Sequence, residues 1–184
     1  MKHLSSFFVS VVCVFAAAVS AQAEWTNVSF GNDPVITDGN WTIGITSMTG
    51  GWLLGKGSGT AYSYGSGSLD LRNVESDCDI CLVETGNGAL EGVTALTEVL
   101  LPDSVVNING ATFKNCSALT NVVLGAGLKA IGSANKETFL NCKALKTINF
   151  PAGLEKIGNN AFQNCSALEI AALTLPETVT TIGD

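Results

Sequence analysis

Six cysteines and sixteen carboxylates hold most of the chemistry open to this chain of 184 residues. Cys78 and Cys81 form a Cys-x-x-Cys. A catalytic dithiol of that spacing sits at a helix N-terminus, whose dipole lowers the thiol pKa. Here the pair follows the acidic residues Glu75 and Asp77 and encloses Asp79, which opposes thiolate formation, and no Trp, Gly or Pro lies between the cysteines. The pair is therefore read as a candidate local disulfide of an exported protein, with buried or mispaired thiols as the other reading. Glu75, Asp77 and Asp79 would share one face if the segment stays extended, and three carboxylates could offer oxygens to calcium. The spacing lacks the glycine and closing glutamate of a helix-loop-helix calcium loop, so a solvated acidic edge that discourages foreign strand pairing is preferred.

Histidine narrows the field further. His3 is the only one, and it lies in a segment read below as removed. Without it the chain has no Ser-His-Asp or Cys-His pair and no His-ligated zinc. Paired-carboxylate hydrolysis stays formally open. The expectation is a protein that is not an enzyme, with no cofactor and no metal.

The remaining cysteines repeat. Cys116, Cys142 and Cys165 recur in step with Phe113, Phe139 and Phe162, each at the same offset behind its Phe. Each pair opens a similar word: ATFKNCSALTNVVLGAGLKAIGS at 111, TFLNCKALKTINFPAGLEKIGNN at 138 and AFQNCSALEIAALTLPETVTTIGD at 161. A degenerate copy precedes them, with Leu90, Val93 and Leu96 standing one period ahead of Phe113, Cys116 and Leu119. A period of roughly 23 residues predicts a solenoid whose units bury their apolar faces only by stacking. In such a stack the three cysteines form a column at about 5 Å steps, read as buried thiols that pack as small hydrophobes. An inter-coil disulfide is the alternative, and five mature cysteines cannot all pair within one chain. Ser133 to Lys136 carries a three-residue insertion expected to bulge outward.

The elements ahead of the repeats are of another kind. Lys2 and His3, the apolar run Phe7 to Val19, and Ala21-Gln22-Ala23 read as a signal peptide cleaved after Ala23, the run being short for a bilayer span of about 20 residues. Without Lys2, eight basic and sixteen acidic residues give a net charge of −8. Eleven of the acids fall in residues 24–103, a negative front half that repels phosphate backbones and argues against nucleic acid. Residues 24–87 read as a β-rich cap with a first strand at Leu69 and Leu71, and Trp25, Trp41 and Trp52 as its core, with a sugar-binding platform as the other reading. The Gly/Ser stretch 56–60 lacks the Lys-Ser/Thr of a phosphate loop and is read as a turn.

The pattern Ala-Phe-x-x-Cys-x-x-Leu-x-x-Ile-x-Phe-Pro followed by Ile-Gly resembles the leucine-rich repeats of BspA-like bacterial surface proteins, over residues 88–184 in about four units. The resemblance implies an α/β-type repeat solenoid, mainly β with short helical or 3-10 turns, right-handed and preceded by a β-rich N-terminal cap. It also implies export, and adhesion or binding to a protein or glycan at a cell surface, with no shared catalytic residues. The first unit departs from the pattern in lacking Phe and Cys. The array breaks off at Asp184 in mid-unit, which reads as a truncated member or one that closes its end by self-association.

If this is a binder, it uses the outward positions of the stacked strands. With Leu119, Val122 and Leu124 inward, the alternation of a strand turns Asn121 and Val123 outward. The same register adds Glu98 and Leu100, Thr147 and Asn149, and Ala172 and Thr174. The patch lacks the aromatic and Arg anchors that commonly dominate binding energy, and a merely solvated face is the competing reading. Asn115 and Asn164 lie in Asn-x-Ser sequons but are expected to satisfy turn backbone rather than carry sugar.

Overall fold

The computed structural model describes residues 24–27, 35–48, 51–55, 65–132, 137–169 and 174–184. The signal segment, the Gly/Ser stretch 56–60, the insertion 133–136 and Ala172 lie outside the described residues, as does the side chain of Trp52.

The chain winds between two sheets. It forms β1 (Thr26–Asn27), β2 (Val35–Thr37), β3 (Thr42–Met48), β4 (Gly51–Gly55), β5 (Gly67–Asp70), α1 (Val74–Cys78), β6 (Leu82–Thr85) and β7 (Leu96–Leu100). There follow β8 (Asn107–Ile108), β9 (Asn121–Val123), β10 (Ala130–Ile131), β11 (Thr147–Asn149), β12 (Lys156–Ile157) and β13 (Thr181–Ile182). One sheet has four strands in the order β11-β9-β7-β5, all parallel. The other has nine, in the order β1-β2-β3-β4-β6-β8-β10-β12-β13. Its first four strands are antiparallel; from β4 onward every pairing is parallel. Successive coils thus give one strand to each sheet, and the stack reaches one coil farther toward the N-terminus, through β5 and β6, than the repeated words indicate.

Repetition in sequence becomes columns in space. Phe113 stacks on Phe139 at 5.1 Å and 8°, and Phe139 on Phe162 at 5.2 Å and 7°. Leu69, Val99, Val122 and Ile148 align as strand neighbours and are all buried. On the nine-stranded sheet Ile108, Ile131 and Ile157 align in the same way, with buried Thr85 taking that place one coil earlier. Between strands each coil turns at a tight corner: the amides of Val105, Leu128, Leu154 and Val179 bond the carbonyls of Pro102, Gly125, Pro151 and Pro176. Gly125 stands where its neighbours carry Pro because a Cβ there would overlap the Pro102 carbonyl of the coil before.

Two corner positions per coil are left-handed. The first is Gly88, Ala111, Glu137 and Asn160; the second is Gly92, Asn115, Asn141 and Asn164, with φ between 52° and 76° throughout. Glycine and asparagine adopt this region at least cost. In the second column the asparagine amides bond one another rather than the turn backbone expected from sequence: Asn141 Nδ2 donates to Asn115 Oδ1 at 2.8 Å, and Asn164 Nδ2 to Asn141 Oδ1 at 2.9 Å. Strands stacked about 5 Å apart put equivalent side chains within reach of each other, so the axial bond replaces the local one.

The acidic stretch also departs from expectation. It does not stay extended: Val74–Cys78 is a five-residue helix, and Asp79 closes it with φ 57°. A helical turn distributes Glu75, Asp77 and Asp79 around its axis instead of aligning them on one strand face. The Asp77 carboxylate accepts the Trp25 amide at 3.1 Å. Among the described residues no group of three or more His, Cys, Asp or Glu side chains is placed to hold a metal ion.

Candidate binding face

The four-stranded sheet turns its inward column into the core and its alternate residues to solvent. Two outward rows result from the strand register. Ser68, Glu98, Asn121 and Thr147 form one; Asp70, Leu100, Val123 and Asn149 form the other. Six of the residues expected from sequence thus meet on one surface. Thr174 is exposed beyond the strands, and Ala172 lies outside the described residues.

The first row is a continuous hydrogen-bonded ladder. Ser68 Oγ donates to Glu98 Oε2 at 3.0 Å, Asn121 Nδ2 to Glu98 Oε1 at 2.7 Å, and Thr147 Oγ1 to Asn121 Oδ1 at 3.1 Å. Every donor points toward Glu98, so its charge is held by the row and the side chains are set in one conformation. In the second row Leu100 is half-buried and Val123 is 38% exposed, which leaves a short aliphatic strip beside the polar ladder. At one end Arg72 grips Asp70 with two bonds, Nη2 to Oδ2 at 2.7 Å and Nε to Oδ1 at 2.9 Å. The guanidinium pKa is raised chiefly by that bond, and Glu98 adds a smaller attraction.

Ser68 and Asp70 are members that sequence reasoning missed. The alternation Leu69-x-Leu71 marks their strand, but its place in the stack is hidden by spacing. Ser68 precedes its ladder partner by 30 residues, whereas Glu98 and Asn121 are separated by 23. The α1 turn takes up the difference.

The cysteines are placed for packing. Cys116, Cys142 and Cys165 donate from Sγ to the carbonyls of Leu90, Phe113 and Phe139 in the preceding coil, at 3.1, 3.0 and 3.1 Å. Burial pushes the Cys116 thiol up to about 12 and the Cys165 thiol up to about 11, and raises Cys142 as well. These thiols are therefore poor nucleophiles at neutral pH. Cys78 ends α1 and Cys81 lies just before β6, both half-buried.

Comparison with known proteins agrees with this geometry. Among solved structures, a leucine-rich repeat protein of T. pallidum (TpLRR) is 29% identical with a TM-score of 0.64, covering 78% of this chain and 62% of its own. A leucine-rich repeat protein of Bacteroides ovatus is 28% identical with a TM-score of 0.59, over 79% of this chain and 36% of its own. One from Bacteroides capillosus is 27% identical with a TM-score of 0.53, over 82% and 98%. This chain thus spans less than two thirds of the first two proteins. No curated protein sequence matches it. The family model described as "BspA type Leucine rich repeat region" matches residues 83–184 in six copies. The chain belongs to the BspA-type leucine-rich repeat family.

Proposed function

We propose that this chain is a non-catalytic binding module displayed outside the cell, which docks a protein partner on the outward rows of the four-stranded sheet. Leucine-rich repeat folds are in general protein-binding scaffolds, and BspA-type members are in general surface-exposed bacterial proteins. No helix among the described residues is long and apolar enough to cross a membrane. The observation that carries the reading is the ladder from Ser68 to Thr147. Its side chains are already ordered, so a partner meets a rigid polar row and the Leu100–Val123 strip with little entropy left to lose. The ionised thiol that a cysteine enzyme needs is disfavoured in the repeat column.

The test is capture on a protein and glycan array. Saturable binding by the wild type, abolished by Asn121→Arg and Asn149→Arg with melting unchanged, supports the face. Binding that survives both substitutions removes it. Reversible, concentration-dependent assembly of the wild type with no captured partner would favour a structural surface-layer or matrix role instead. Export predicts that the mature protein begins at Glu24, which N-terminal sequencing of secreted material checks.

A further inference from the structure

Among the described residues β5 is the outermost strand of its sheet, and its pairing with β7 uses only one of its edges. The amides of Gly67 and Leu71 point toward the neighbouring strand, bonding the carbonyls of Ala95 and Leu100 at 2.9 Å each. The alternate residues Ser66, Ser68 and Asp70 therefore turn their carbonyls the other way, along the free edge. All three carbonyls are taken, and each by a side chain. Asn40 Nδ2 donates to Ser66 O at 2.9 Å, Trp41 Nε1 to Ser68 O at 2.8 Å, and Trp25 Nε1 to Asp70 O at 2.7 Å.

The donors are held in place for this. Asp38 Oδ1 accepts the backbone amides of Asn40 and Trp41 at 2.9 and 2.6 Å, so one carboxylate aims two of the three. Both indoles are buried, Trp41 completely and Trp25 to 3% exposure. Gly65 leaves room for Asn40: a Cβ there would lie 2.8 Å from Asn40 Cγ. A strand cannot supply this pattern by itself; it is built from residues 26 to 45 positions away in sequence.

We infer that β5 is a strand-pairing edge closed from within the chain by Asn40, Trp41 and Trp25, and that a chain stripped of those donors pairs through β5 with a second copy. A bare edge of alternating carbonyls and amides is a template for another strand. A second copy presents the same edge and can satisfy it reciprocally about a two-fold axis. The nine-stranded sheet needs no such device at β4, because β3 already pairs there. The two sheets are thus ended at this side of the stack by different means, one by further strands and one by side-chain donors.

The experiment removes the donors while retaining aromatic bulk. The triple variant Trp25→Phe, Trp41→Phe, Asn40→Ala is compared with wild type by sedimentation velocity over a concentration series, with circular dichroism to confirm the fold. The expected result is a dimer at least about tenfold tighter than any wild-type self-association, the scale of regained backbone hydrogen bonds. Adding Ser68→Pro, which removes an amide on the free edge where proline is tolerated, should return the variant to wild-type size. A folded triple variant that sediments as wild type, or a dimer that persists with Ser68→Pro, overturns the inference. Should the triple variant not fold, Trp41→Phe alone is read: a weaker dimer reversed by Ser68→Pro supports the inference, and unchanged size overturns it. The readout is self-association and not partner binding: the triple variant leaves every member of the outward ladder in place, and only the reversal by Ser68→Pro touches it.

Discussion

Individual side chains in this stack are exposed to different penalties according to their column. Thr112 and Thr138 occupy equivalent, fully buried positions between Ala89 and Ala161. Thr112 bonds Thr85 Oγ1 at 2.8 Å and the Asn109 carbonyl at 2.7 Å, whereas Thr138 Oγ1 finds no partner among the described residues. Thr112→Val is therefore expected to cost about 1–3 kcal/mol, and Thr138→Val to be neutral or stabilising. Urea unfolding of the pair of variants decides it. At Asn141, φ of 62° and the amide ladder make separate demands. Asn141→Gly removes only the ladder, so Asn141→Ala should be less stable than it by about 1–2 kcal/mol. The thiol column sets a pH dependence. Folded thiols raised to about 11 and 12 stay protonated where unfolded ones, near 9, ionise. Their contribution is complete below pH 9 and is lost as pH rises toward 11–12, so urea midpoints should fall across that window, and fall less in Cys116→Val. Column residues were legible in sequence because a core position that recurs must recur in type. The left-handed Ala111 and Glu137 were not, since neither residue signals that conformation.

At the level of the coil, stacking substitutes for secondary structure of any length. Every described strand beyond β7 is two or three residues long, too short to persist alone. The Phe column binds them together. Phe139, with no exposed surface and a ring on either side, is its central member. Phe139→Ala should cost about 3–5 kcal/mol, and hydrogen exchange should accelerate in the coils of Phe113 and Phe162 as well as its own, because each unit is stable only through its neighbours. Exchange confined to one coil would mean that the units have stability of their own. The repeats announced this element plainly. The coil of β5, α1 and β6 did not announce itself: it puts Leu69 and Thr85 in the columns of Val99 and Ile108 but has no Phe-Cys word ahead of them, and it makes a helical turn where later coils make a tight Pro or Gly corner. The indole contacts to β5 were equally silent, since a pairing made once has no period to detect.

Across the whole molecule the charge is unevenly spread, and the ion pairs that join one coil to the next among the described residues lie at the surface. Lys114–Glu137 at 2.6 Å and Lys129–Glu155 at 3.2 Å each tie one coil to the next, but both are partly or largely exposed. Pairs of that kind contribute little, so stability should change only slightly between low and high salt. Packing along the axis carries the molecule instead. That has an engineering consequence at one corner. The chain takes a longer path from Phe113 to Phe139 than from Phe139 to Phe162, yet the rings superpose with nearly the same spacing and tilt. Extra length after Ile131-Gly132 leaves the pile's alignment untouched, which makes this corner a splice site. A foreign peptide cassette set there should ride outside the stack, with melting temperature close to that of the parent chain.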